Sequence, residues 1–304
     1  MKNCDYYEIN EVLSNILLKN EPASILRIDN TSGYAMQKLF RNAEPSRQVL
    51  NEQTLIEAGI YPSSLDYIKQ TIYPKTIDIM KSVDVLGFVD ISNEISRDTD
   101  FLSQFNSPYS FFNPAFTILD PGSLVGLGDF NKLEHPWTEN LKNKKVLTIS
   151  SHHNSINQQY DKLDLIWKEN KEKIAPFEFV GNIRSPFHPL IDDRQYADNF
   201  EDTVEFIKKE IDKFDFDVLL SSVSHQSPFY VEYAKQKGKI GIQTGGVLQL
   251  FFGIIGKRWD MNNCYRNWRN IYNENWIYPL KEDEPQKIDS IRHLEFSFAY
   301  WSGK

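Results

Sequence analysis

A chain of 304 residues, 40% hydrophobic and 25% charged, can bury a large core, which excludes a disordered or fibrous protein and fits one α/β domain. A net charge of −8 excludes a broad nucleic-acid-binding face and points to a small-molecule partner. Two cysteines, Cys4 and Cys264, are too few for a disulfide scaffold or a cysteine-rich metal site, and no window approaches the ~20 apolar residues of a membrane span.

In chain order, residues 10–19 read as a helix and 24–29 (SILRID) as a strand, which opens into a polar loop, Asn30-Thr31-Ser32-Gly33, ahead of a helix over 34–40. Residues 51–81 are mostly helical with breaks at 59–62 and at Pro74, and 85–89 read as a buried strand. A polar, irregular stretch over 92–110 precedes a short strand at 116–119 and a loop reaching residue 128. Next come a strand at 146–150, a loop at Ser151-His152-His153-Asn154 and a helix over 155–170. A strand at 177–180 runs into a rigid polar loop over 182–189 that carries Arg184; Asp192-Asp193-Arg194 and a helix over 199–213 follow.

The clearest unit is the last. A buried strand at 218–220 ends in a loop holding Ser224, His225, Gln226 and Ser227, and Pro228 suits the first turn of a helix over 229–236 that Gly238 stops. A strand at 239–243 then reaches Thr244-Gly245-Gly246 and a buried helix over 247–252 that includes Gln249. The segment from 268 to 301 is aromatic and acidic, with LKEDEP as a solvated turn, and is expected to wrap across the core. Strands alternate with helices throughout, which predicts an α/β fold: a Rossmann-like, mostly parallel sheet with helices on both faces, divided, if at all, into lobes over about 1–140 and 141–304.

Ligands of such sheets sit beyond the carboxyl ends of the strands, where glycines let backbone amides approach phosphate. Gly245 and Gly246 therefore suit a diphosphate, although tight-turn chemistry alone explains the pair equally well. His225 has the best address for a proton acceptor, with His152 as a second candidate. Adjacent His152 and His153 lack a third ligand at local spacing, which argues against a metal. Asp192-Asp193-Arg194 reads first as helix-terminus chemistry. Lys257-Arg258-Trp259 serves either a helix C-terminus or the grip of a phosphate by Arg258. No Gly-x-Ser-x-Gly elbow is present, which argues against a serine hydrolase.

Residues 144–167 (KKVLTISSHHNSINQQYDKLDLIW) and 215–259, above all the Gly-Gly-x-Leu-Gln-x-x-Phe-Gly-Ile-x-Gly-Lys-Arg-Trp string at 245–259, resemble the C-terminal half of bacterial proteins encoded among cell-surface polysaccharide genes. Those are similar in turn to GT-D glycosyltransferases. The resemblance implies transfer of a sugar from a nucleotide-sugar donor to a glycan acceptor in capsule or O-antigen assembly; the cysteine usage fits a reducing, cytoplasmic compartment, with peripheral association at the inner membrane face left open. A non-catalytic sugar- or nucleotide-binding subunit, or a transferase of another group, are the alternatives. GT-D enzymes carry Arg-x-Gly-Asp-Gly-Glu, whose Asp-x-Glu holds a divalent metal. The matching string here is Arg27-Ile28-Asp29-Asn30-Thr31-Ser32, in which the Glu is missing and the Asp is either replaced by Asn30 or displaced to Asp29. A cofactor such as Mg²⁺ or Mn²⁺ is left short of carboxylates. Diphosphate charge then falls to amides and to Arg27, Arg184, Lys257 or Arg258, and proton transfer to His225 or Asp29.

Overall fold

The computed structural model describes residues 6–28, 30–43, 59–89, 95, 97–113, 135–169, 171, 174, 176–256 and 271–291. Seven strands, β1 (Ala23–Ile28), β2 (Val85–Val89), β3 (Tyr109–Asn113), β4 (Lys145–Ser150), β5 (Glu178–Arg184), β6 (Val218–Ser221) and β7 (Ile240–Gln243), form one sheet. Their order is β3-β2-β1-β7-β6-β4-β5 and every pairing is parallel. Strands from both halves of the chain thus share one sheet.

The principal helices are α1 (Tyr6–Lys19), α2 (Asn30–Phe40), α3 (Tyr73–Met80), α4 (His153–Tyr160), α5 (Phe200–Ile211), α6 (Ser227–Gln236) and α7 (Val247–Phe251). They cover both faces because alternate strand residues point to opposite sides. One core joins Ile9, Leu13 and Leu17 of α1, Ile156 of α4 and Leu248 and Phe251 of α7 to strand residues such as Ile25, Val146, Ile240 and Ile242. The other joins Ala35 and Met36 of α2, Tyr73 of α3, Phe200, Val204, Ile207 and Ile211 of α5 and Tyr230 and Val231 of α6 to Leu26, Leu147 and Leu219. α5 shows how its sequence selects the element: apolar residues recur at helical spacing, Asn199 caps it by accepting the Asp202 N–H at 2.8 Å, and Lys208 and Lys209 sit in the last turn. Each such side chain buried contributes about 1.5–3 kcal/mol. Among the described residues no helix is long and apolar enough to cross a membrane.

Four expectations are corrected. Residues 30–33 form the first turn of α2 rather than a loop, and Gly33 is there for packing: a Cβ on it would lie 2.7 Å from Ile95 Cδ1. Pro74 does not break its helix, because it occupies the first turn of α3 after a π-helical turn at Ile68–Ile72, where a missing N–H costs nothing. β5 runs on through Asn182 and Arg184, because a bulge opposite Val146 and Leu147 absorbs one residue and keeps the register, so the polar residues are strand and not loop. The helix expected over 155–170 ends at Tyr160 and restarts as a short turn, Leu163–Ile166, after which Trp167 gives its Nε1–H to the Phe251 carbonyl at 2.9 Å. β3 begins in the last two residues of the stretch read as irregular and runs past it to Asn113, and the strand expected at 116–119 lies outside the described residues.

Candidate functional site at the carboxyl edge

After β1 and β6 the chain turns to the face of α2 and α6, whereas after β4 and β7 it turns to the face of α4 and α7. In the order β1-β7-β6-β4 the exits alternate between faces, so a crevice opens at their carboxyl ends, where open α/β sheets take ligands.

On the β6 side the loop is pinned by Ser227, whose hydroxyl is 2.9 Å from Ser221 Oγ and accepts the Val223 N–H at 3.0 Å. Pinning forces Ser224 to φ 40°, a left-handed conformation that a side chain disfavours. His225 follows, and its ring meets neighbours on both edges and on one face. Nε2 is 2.7 Å from Ser32 Oγ in the first turn of α2, Nδ1 is 3.1 Å from Ser224 Oγ, and the Tyr73 ring stacks at 6.2 Å between centroids. Ser32 is buried, His225 half-buried and Ser224 exposed.

On the β1 and β7 side, the Arg27 N–H donates to Gln243 Oε1 at 3.2 Å, and Ser222 Oγ donates to the Gly245 carbonyl at 2.6 Å. Gly245 has φ 58°, and a Cβ there would approach Arg27 Nη1 to 3.3 Å, so the guanidinium lies alongside the glycine backbone. Gly246 immediately precedes α7, which at five residues offers amides rather than a developed dipole.

A separate polar group sits at the ends of β4 and β5. His152 occupies the N-cap position of α4 without capping it, and the cap comes from Asp283 in the C-terminal segment. The Asp283 carboxylate accepts the N–H groups of Asn154 and Ser155, both at 2.7 Å, together with Asn154 Nδ2 at 3.0 Å and Ser155 Oγ at 2.6 Å. The LKEDEP stretch is a turn whose Lys281 and Glu282 are exposed as expected, but Asp283 within it is buried, at 1% exposed. Burial drives the His152 pKa down to about 4, against the pull of Asp283, which keeps the ring neutral. Arg184 reaches Asp192 at 3.6 Å and the Arg194 carbonyl at 3.4 Å. Asp192 and Arg194 form a clasp, with Arg194 Nη2 2.5 Å from Asp192 Oδ2 and donating to the Glu284 carbonyl at 2.7 Å, while Asp192 accepts the Gln286 N–H. Burial alone would raise the Asp192 pKa, but the Arg194 hydrogen bonds hold it below the usual carboxylate range.

The structure thus brings Ser32, Ser224 and His225 together, sets Arg27 against Gly245 at the neighbouring strand exits, and places His152 and Arg184 in a different group. Gln226 is buried with its Oε1 accepting Tyr230 O–H at 2.7 Å, and Gln249 is buried within α7. Asn30 and Thr31 lie in the first turn of α2; Asp29, Lys257 and Arg258 lie outside the described residues. Sequence reasoning missed Asp283 and Tyr73, which only tertiary contacts bring to these groups; the non-capping His152 before α4 was the one available hint of an external cap.

His188 belongs to neither group. It is 4% exposed, its Nδ1 accepts the Leu190 N–H at 3.1 Å, and its Nε2–H therefore points to Ser63 Oγ at 2.6 Å, the wrong tautomer to activate that serine. Burial lowers its pKa to about 4. Because His152 and His188 are depressed in the folded protein, the unfolded chain binds protons first as pH falls below about 6.5, so stability is present above that pH and is lost on the way down to about 4. Each ring is expected to contribute roughly 3 kcal/mol to that loss. Urea denaturation at pH 7, 6 and 5 checks it, and His188→Gln should flatten the slope; a slope unchanged by that substitution would contradict the assignment.

Among the described residues no three His, Cys, Asp or Glu side chains converge to hold a metal ion. The position at which the resemblance calls for a glutamate is Ser32, whose neutral hydroxyl lies against His225 and brings no carboxylate to a hard divalent cation, while Asp29 lies outside the described residues. No protein-family model matches the chain, and no curated protein matches it. Among solved structures the chain is similar to a glycosyltransferase (DUF1792) from Streptococcus sanguinis, at 13% identity, covering 93% of this chain and 95% of that one, with a TM-score of 0.42. At that distance the neighbour assigns no chemistry to this chain, whose α/β fold rests on its own strand order.

Proposed function

We propose that this protein is a glycosyltransferase that moves a sugar from a nucleotide-sugar donor to a glycan acceptor, working on the cytoplasmic side of a membrane in surface-polysaccharide assembly. One observation carries the reading: a single crevice of a parallel sheet holds Arg27 beside the Gly245 turn and, next to it, His225 set between two serine hydroxyls. The guanidinium and the backbone amides around Gly245 and Gly246 suit a diphosphate, which needs charge-assisted hydrogen bonds rather than a hydrophobic slot. His225 supplies the group that takes the acceptor proton, with Asp29 as the second candidate. Arg258 is proposed to add charge to the donor site, and no metal is invoked.

A binding subunit without turnover is the second reading, favoured by Ser32 standing where a metal-binding carboxylate is called for. Thermal shifts with nucleoside diphosphates and nucleotide sugars, each with and without Mg²⁺ or Mn²⁺, test both. A donor at a hundred times its Kd is expected to stabilise the protein by about 2.7 kcal/mol. Arg27→Ala should weaken binding roughly 10- to 100-fold, the worth of a charged hydrogen bond. No shift with any nucleotide would sink the transferase reading; binding without release of the nucleoside diphosphate would favour the subunit.

A further inference from the structure

We propose that Ser224 is the catalytic hydroxyl facing the acceptor, and that Ser224 and His225 form a proton relay at the mouth of the crevice whose imidazole Ser32 orients from the buried first turn of α2. The inference rests on the transferase reading and adds to it which atom receives the acceptor proton. Both ring nitrogens of His225 already lie against protein hydroxyls, Nε2 at 2.7 Å from Ser32 and Nδ1 at 3.1 Å from Ser224. An acceptor therefore reaches the imidazole through one of those serines. Ser32 is 5% exposed and lies inside the first turn of α2, whereas Ser224 is exposed at the loop tip. The outer member is thus Ser224.

Its backbone adds a second, independent observation. Ser224 is held at φ 40° by hydrogen bonds to Ser227 on either side of it, where glycine would sit without strain. A serine kept in a conformation that costs stability marks a side chain wanted for more than the turn. The direction of transfer follows. In the proposed relay the His225 proton is on Nε2, donated to Ser32 Oγ at 2.7 Å, which leaves Nδ1 able to accept one from Ser224 Oγ at 3.1 Å. As the acceptor oxygen bonds to the sugar carbon, the bond from that carbon to the diphosphate oxygen breaks and the electron pair leaves with the nucleoside diphosphate. The acceptor proton passes to Ser224 Oγ while the Ser224 proton passes to Nδ1. The imidazolium so formed is stabilised by Ser32 and returns its proton to solvent.

Two measurements test the relay. The ¹⁵N shifts of the His225 ring in the ligand-free protein, assigned with His225→Ala, should show the proton on Nε2, and Ser32→Ala should abolish that preference; a proton resident on Nδ1 overturns the relay whatever the donor proves to be. Release of nucleoside diphosphate from UDP-glucose, GDP-mannose or whichever nucleotide sugar gives a thermal shift is the second. Ser224→Ala and Ser224→Gly should each slow it about 100-fold with donor affinity unchanged, the usual worth of a positioned proton acceptor. Ser224→Gly should at the same time raise Tm, because glycine relieves the left-handed backbone. A more stable Ser224→Gly protein with wild-type turnover would overturn the proposal. Failure of every nucleotide sugar to bind would remove the transferase reading, leaving the tautomer measurement to decide the hydrogen-bonded chain by itself.

Discussion

Alanine in place of Asp283 is expected to destabilise the protein by roughly 3–5 kcal/mol, the cost of breaking a buried charged contact and orphaning its partners. Asp283 is 1% exposed and its two oxygens accept four hydrogen bonds, two from the N–H groups of the first turn of α4 and two from the side chains of Asn154 and Ser155. Removing it leaves those amides buried with no nearby substitute, because His152 at the N-cap makes no side-chain bond to them. Ser155 Oγ also accepts the Leu280 N–H at 2.9 Å, so the same change loosens the C-terminal segment that the Asp192 and Arg194 clasp holds farther along. Urea denaturation measures the loss, and limited proteolysis between residues 276 and 288 should quicken. A cost below about 1 kcal/mol, the range of an exposed cap, would show that the carboxylate is dispensable.

The second large effect is expected at Gly241. This residue stands between Ile240 and Ile242 of β7, and it faces α6 so closely that a Cβ would stand 2.4 Å from the Val231 carbonyl oxygen, 2.7 Å from Val231 Cα and 2.9 Å from its carbonyl carbon. All three are backbone atoms, so no side-chain rotation relieves the clash; the helix itself must move. Gly241→Ala should therefore cost about 3 kcal/mol, the upper end of overpacking penalties. Because α6 begins two residues after His225, displacement of the helix should also lengthen the His225–Ser32 contact and weaken donor affinity along with stability. A Gly241→Ala protein as stable as wild type would mean that α6 sits farther from the sheet than described.

How much of this was legible beforehand varies by element. β2 and the unit running from β6 to α7 were readable to within a residue or two, because short apolar runs bounded by Gly238, Gly245 and Pro228 leave few alternatives. The first turn of α2 was misread because Gly33 and its polar neighbours carry a loop signature, and only Ile95 packing against the glycine shows why a helix needs it. β5 was cut short because the polar residues Asn182 and Arg184 do not look like strand. Asn182 is accommodated there because Thr148 on β4 donates its hydroxyl to Asn182 Oδ1 at 2.5 Å.

The same division separates site from scaffold. His225, Ser224 and Gly245 could be nominated from the chain alone, since polar residues and glycines following apolar runs mark strand exits in any parallel sheet, whereas Arg27, inside β1, entered only through the family resemblance. Their grouping could not: Ser32 meets His225 across 193 positions, Gln243 meets Arg27 across 216, and Asp283 reaches Ser155 across 128. By itself the sequence determined an alternating α/β chain with a parallel sheet, because hydrophobic period and turn residues act over a few residues. Only the tertiary structure decided the strand order, the crevice made where exits alternate between faces, and which serine stands on which side of the histidine, because those follow from packing distant segments into one sheet.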